Sequence, residues 1–206
     1  EAELFLAYQA GVRFAGLVGP MPSGPGTISE DAMARIAAQA PEDMTTVLLT
    51  AREDAAGIVA HVEDTGAKAV QIVRPVAPEI RLGVRRSLGE TTIFQVVHVE
   101  GPDSVDEART AAVGADYLLL DSGRPGAAVA ELGGTGRTHD WSLSARIAEV
   151  ASAPVFLAGG LGPDNVADAV EAVRPYGVDV CSGLRTPDGR LDPERLMDFM
   201  EGLGER

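Results

Sequence analysis

Cysteine is nearly absent from this chain. Cys181 is the only one among 206 residues, so no internal disulfide can form and a reduced, cytoplasmic setting is expected. Long apolar runs are missing too: no stretch of 18 or more apolar residues occurs, and no segment is expected to cross a bilayer as a helix. The opening Glu1-Ala2-Glu3 has neither the basic start nor the apolar stretch of a secretory signal. Basic residues are scarce, 17 Lys and Arg against 31 Asp and Glu, which leaves a formal charge of −14. A surface so negative repels polyphosphate backbones, so nucleic acid is not expected as a partner, and neither is a membrane. Three separated histidines, His61, His98 and His139, and one cysteine give little support to a zinc site, and no metal or cofactor is expected.

What the chain does have is an ordinary globular composition, 45% hydrophobic and 23% charged, with a high count of 24 glycines. The length suits one substantial domain, taken as residues 1–206. Short apolar runs alternate with helical stretches throughout. Strands are predicted at 13–18, 45–50, 69–73, 92–99, 117–121, 155–158 and 178–181. Helices are predicted at 3–10, 29–38, 54–64, 78–88, 104–113, 143–151, 164–173 and 193–202. Ser29 is the expected N-cap of the second helix, with Glu30 and Asp31 in its first turn.

Near-continuous apolar strands joined by short helices indicate a parallel sheet covered on both faces. The pattern fits a (β/α)8 TIM barrel whose first strand is absent, because helix 3–10 has no strand of its own. A seven-strand remnant leaves two sheet edges unpaired, which proteins avoid. A short strand is therefore expected upstream of Glu1, or something else in its place. An open doubly wound sheet is the competing architecture, and the lack of a G-x-G-x-x-G after the first strand stands against it.

Barrel sites form at the C-terminal ends of the strands. Ala158-Gly159-Gly160-Leu161-Gly162-Pro163-Asp164-Asn165 is a strand end running into a helix start, where glycines allow close backbone approach and free N–H groups favour an anion. Gly159 and Gly160 read as a phosphate cradle; the plain alternative is a tight turn that needs glycine for its dihedrals. The next strand ends in Cys181-Ser182-Gly183, and the loops after the last two barrel strands often share one phosphate, so Ser182 and Gly183 join the cradle. Cys181 reads as a small buried hydrophobe rather than a nucleophile.

Asp121 ends an otherwise apolar strand. A carboxyl there is partly withdrawn from water, which suits a general acid better than a capping or turn role. The long loop after it contains Gly133-Gly134-Thr135-Gly136, as a lid or binding element would. His98 ends the preceding strand and is either a base facing the site or, as is commoner, a hydrogen-bonded structural histidine. His61 and His139 read as ordinary.

Taken in order, Leu120-Asp121-Ser122, Gly133 to Gly136 with Asp140-Trp141, Leu157 to Val166, and Val178-Asp179-Val180-Cys181-Ser182-Gly183 resemble the C-terminal half of the phosphoribosylanthranilate isomerase family of tryptophan biosynthesis. Residues 1–10 and 11–18 are similar to that family's first helix and second strand. The likeness is specific over 115–185 and weak over 20–110. It implies an Amadori rearrangement without metal or cofactor, in which an N-(5-phosphoribosyl)anthranilate aminoaldose becomes the aminoketose phosphate. A general acid protonates the furanose ring oxygen, the ring opens to an imine, and a base removes the C2 proton. By the same resemblance Asp121 is the general acid, Gly159, Gly160, Ser182 and Gly183 bind the phosphate, and Gly134, Thr135 and Gly136 lie over the substrate.

There are departures. The family's base is a cysteine in a Lys-x-Cys-Gly motif on the first strand, and no such motif occurs here; an upstream strand would supply both. Where the family has Ser-Pro-Arg the chain has Pro22-Ser23-Gly24-Pro25-Gly26, and where it has Gln-Leu-His-Gly the chain has Gln71-Ile72-Val73-Arg74. Its Ser-Ser-Gly-Val-Glu becomes Cys181-Ser182-Gly183-Leu184-Arg185. Arg74 is the candidate to replace the lost positive charge in binding substrate, and His98 to replace the base. The expected protein is a member or close relative of this family, a monomer or homodimer acting on a phosphorylated small molecule. The alternatives are a related phospho-sugar isomerase or epimerase, or a non-catalytic barrel that keeps the phosphate cradle.

Overall fold

The computed structural model describes residues 2–22, 26–123 and 138–204. All seven expected strands form: β1 (Phe14–Val18), β2 (Thr45–Thr50), β3 (Ala69–Ile72), β4 (Thr92–His98), β5 (Tyr117–Asp121), β6 (Val155–Leu157) and β7 (Gly177–Val178). The helices are α1 (Ala2–Gln9), α2 (Glu30–Gln39), α3 (Ala55–Thr65), α4 (Pro78–Leu88), α5 (Ser104–Ala111), α6 (Trp141–Val150), α7 (Val166–Val173) and α8 (Pro193–Leu203). Ser29 caps α2 as expected, its hydroxyl accepting the Ala32 amide at 3.3 Å.

Every strand pairs in parallel with its successor, in the order β1 to β7. An open doubly wound sheet reverses its order at a switch point, and this one does not. Aromatic rings show that the sheet curls. The Phe14 ring on β1 lies 5.6 Å from Phe94 on β4 and 5.7 Å from Phe156 on β6, centre to centre. In a flat sheet β1 and β6 would stand roughly 24 Å apart, at about 4.8 Å per strand. The fold is a (β/α)8-type barrel in which, among the described residues, no strand fills the place between β7 and β1.

Two apolar layers build it. Leu118, Leu120, Val155 and Leu157 point outward under the helices on one side, and Leu48, Val70, Ile72 and Ile93 do so on the other. Val47, Ala69, Phe94, Val96, Leu119 and Phe156 fill the lumen. Phe94 and Tyr117 stack at 4.9 Å near the strand starts, so aromatic side chains close the N-terminal end of the barrel and leave the C-terminal end for chemistry. Gly177 makes room for this plug: a Cβ there would sit 2.5 Å from the Phe156 ring.

One buried charge braces the outer layer. Arg81 of α4 is 1% exposed and donates to the carbonyls of Val113, Val76 and Thr110 and to Gln95 Oε1, at 2.7–3.0 Å. At the other end, Glu3 of α1 accepts from the Leu191 amide at 2.8 Å and from Arg185 at 2.6 Å, which docks α1 beside the segment leading into α8.

Two boundaries differ from the sequence reading. β7 is shorter than 178–181, because Cys181 turns out of extended conformation (φ −128°, ψ −78°) into a 3-10 turn over Ser182–Leu184. α7 begins at Val166 rather than residue 164, because Asn165 holds the preceding turn instead of entering the helix.

Candidate active site

Alternation along the strands decides which side chains face the lumen. On β5, Leu118 and Leu120 pack outward, so Leu119 and Asp121 face inward. On β4, Phe94 and Val96 face inward and His98 continues that series. His98 is in register with Asp121. The register of Leu120 with Leu157, and of Leu157 with Val178, carries Asp121 and Asp179 to either side of Ala158. His98, Asp121, Ala158 and Asp179 thus form one inward row at the C-terminal strand ends.

Asp121 is buried, with 7% of its surface exposed, and so is His98 beside it. His98 Nε2 lies 2.9 Å from the Val73 carbonyl, which can only accept, so Nε2 carries the hydrogen. In the neutral ring the lone pair is then on Nδ1, a buried atom with no partner among the described residues. His98 is therefore both hydrogen-bonded and supplied with a free basic nitrogen.

The two glycine turns meet. A Cβ on Gly183 would lie 1.9 Å from the Leu161 carbonyl oxygen, so only glycine lets the turn after β7 rest on the turn after β6. Gly159 and Gly160 have φ of +87° and +65°, the left-handed region that favours glycine. Asn165 ties the turn down, its Oδ1 accepting the Gly162 amide at 2.9 Å and its Nδ2 donating to the Gly160 carbonyl at 3.0 Å. The amides of Gly159 and Gly160 find no acceptor among the described residues. Ser182 and Gly183 sit in the short 3-10 turn that faces them. Gly159 also touches the acid's strand, since a Cβ there would lie 2.9 Å from the Ser122 amide nitrogen.

Three contributors were not singled out from sequence. Asp179 completes the inward row; burial pushes its carboxyl up to about 6, and the charge of Asp121 adds to the shift. His139, read as ordinary, is bonded through Nε2 to Ser144 Oγ at 2.6 Å and lies close enough to Asp121 to feel its charge. Burial holds the His139 pKa below its usual value, with Asp121 and Asp140 opposing that shift. Arg195 of α8 donates Nε to the Gly183 carbonyl at 2.7 Å, and its Nη2 would lie 3.7 Å from a Cβ at Gly162. A guanidinium therefore stands at the foot of both turns.

Other expectations fall differently. Arg74 is not brought to the glycine turns: it follows β3, four strands round from β7, and its Nη1 is 3.5 Å from Glu53. Gly134, Thr135 and Gly136 lie outside the described residues. His61 is structural, buried with Nδ1 3.0 Å from Thr50 Oγ1. Cys181 is exposed rather than buried, because its backbone turns away from the sheet. Among the described residues no three His, Cys, Asp or Glu side chains gather to hold a metal ion, and no helix is long and apolar enough to cross a membrane.

Fold and site together define a class: an acid–base enzyme built on a (β/α)8-type barrel, with its reactive groups at the C-terminal strand ends. The family model for N-(5'-phosphoribosyl)anthranilate (PRA) isomerase matches residues 7–202. The N-(5'-phosphoribosyl)anthranilate isomerase of Natronomonas pharaonis is 35% identical over 99% of this chain and 93% of its own. The structure of phosphoribosyl anthranilate isomerase from Thermococcus kodakaraensis superposes with a TM-score of 0.81 at 26% identity, covering 100% of this chain and 94% of that one. A further structure of phosphoribosyl anthranilate isomerase, in complex with reduced 1-(o-carboxyphenylamino)-1-deoxyribulose 5-phosphate, superposes with a TM-score of 0.79 at 23% identity, covering 98% and 92%. This chain belongs to the N-(5'-phosphoribosyl)anthranilate isomerase family.

Proposed function

We propose that this chain converts N-(5'-phosphoribosyl)anthranilate into the matching aminoketose phosphate by an Amadori rearrangement. The observation that carries the reading is the contact of Gly183 with the Leu161 carbonyl, which makes one cradle of two turns a single strand away from a lumenal carboxyl. The reduced aminoketose phosphate bound by the structural relative supports this substrate class.

The phosphate sits on the turns of Gly159, Gly160, Ser182 and Gly183, where free amides, the start of α7 and the nearby Arg195 oppose the strongly negative field of the whole chain. Asp121 gives its proton to the furanose oxygen as the C1–O bond breaks and the nitrogen lone pair forms the imine. A base then takes the C2 proton; the C–H electrons form the C1–C2 double bond and neutralise the nitrogen, and the enol becomes the ketone. Among the described residues, His98 Nδ1 is the group placed to accept that proton. Gly134, Thr135 and Gly136 cover the substrate on the strength of the family resemblance. Arg74, on the far side of the rim, faces the aglycone end rather than the phosphate. The reading includes one phosphate-binding barrel domain, a cytoplasmic setting supported by the lone cysteine, and a monomer or homodimer.

The test is the change in anthranilate fluorescence when the full-length protein meets phosphoribosylanthranilate. Turnover is expected. A protein that binds the phosphorylated substrate without converting it would defeat the proposal and favour a barrel with another substrate.

A further inference from the structure

The lumen wall holds a carboxyl that the reaction above does not use. Asp179 follows β7 and faces inward in the same row as Asp121, with only the methyl group of Ala158 on the strand between them. Inward residues from alternate barrel strands converge in one layer, so β5 and β7 aim these two carboxyls at shared space.

The neighbours of Asp179 do not neutralise it. Asp121 faces it from β5, His98 stands beyond Asp121 on β4, and β6 offers only Ala158. His139, ahead of α6, feels the charge of Asp121. Cys181 lies two residues further along the chain, Arg185 is committed to Glu3 and the Gly189 carbonyl, and Arg195 to the Gly183 carbonyl. Solvent reaches Asp179 through the open lumen, so repulsion between the two carboxyls outweighs burial in favouring a retained proton.

We propose that Asp121 and Asp179 act as a pair holding one proton between them, with Asp179 a positioning residue that keeps a proton available for the acid step at neutral pH. This rests on the isomerase reading. The proton leaves the pair for the ring oxygen, both carboxyls are then ionised, and the pair recovers a proton from solvent. Two like charges in one layer resist loss of the last proton, and the two titration steps belong to the pair rather than to either residue.

The test compares the wild type with Asp179→Asn and Asp179→Glu on full-length protein. In Asp179→Asn the alkaline limb of the kcat profile moves down by about one pH unit, so kcat above the limb falls about tenfold, while KM changes by less than about threefold. Asp179→Glu keeps the charge and restores the limb. An unmoved limb in Asp179→Asn overturns the inference. A second measurement needs neither a variant nor activity: in wild-type protein carrying 13C-labelled aspartate, the Asp121 and Asp179 carboxyl signals should move together through two shared steps. Independent single-step titrations overturn the pair. Absence of wild-type turnover at every pH would strike the isomerase reading instead, leaving the titration to judge the pair on its own.

Discussion

The two sides of the barrel rim solve the same electrostatic problem in opposite ways. On the β5–β7 side, glycine turns leave amides unengaged, and a guanidinium stands behind them on a carbonyl. On the β2–β3 side the charged residues have found one another. Arg52 donates to Glu30 at 3.0 Å and to the Gly57 carbonyl at 2.8 Å, His61 leans on Thr50, and Arg74 lies against Glu53. A chain with a formal charge of −14 can hold an anion only where positive potential is presented and not already matched. The comparison teaches that backbone amides do this without adding a side chain that a carboxylate could capture.

The largest effect should come from the chemical end of the first side. Asp121→Asn removes a proton donor and little volume, so kcat should fall about 10²- to 10⁴-fold with KM nearly unchanged, as steady-state kinetics would show. Gly183→Ala attacks the contact between the turns. The Cβ would collide with the Leu161 carbonyl, and overpacking of about 1–3 kcal/mol corresponds to roughly a 5- to 150-fold rise in KM for the phosphorylated substrate. A thermal melt of the same variant separates lost affinity from lost folding. Arg195→Met removes a charge behind the cradle, and KM should rise about two- to fivefold, less so at high salt. Arg74→Ala, on the other side, breaks only a partly exposed ion pair and should change KM by less than about twofold. If Arg74→Ala proved as damaging as Arg195→Met, the two sides would not differ in the way described.

Much of this was readable in the residues themselves. Apolar runs located all seven strands, and Asp121 was marked by closing one of them. The glycines of the two turns stood out because a left-handed φ at Gly159 and Gly160, and the approach of Gly183 to a carbonyl, leave few other choices. What was not legible depends on where elements meet. Asp179 sits in a Val-Asp-Val run, and its inward direction follows from Gly177 yielding to the Phe156 ring. Arg81 looks like any charge on an amphipathic helix, yet it is buried because α4, β4 and α5 converge their acceptors on it. Arg74 looked available because nothing in the order of residues shows Glu53 beside it.

The resting of Gly159 against Ser122 has a mechanical consequence. The residue that begins the phosphate turn and the residue that follows the proton donor share one point of touch, as two gears share a tooth. Any side chain introduced at 159 would push on the end of β5 and tilt Asp121 along with it. Tightness of grip and aim of the proton are therefore adjusted by one screw, and retuning this barrel for a new phosphorylated sugar would have to begin elsewhere on the rim.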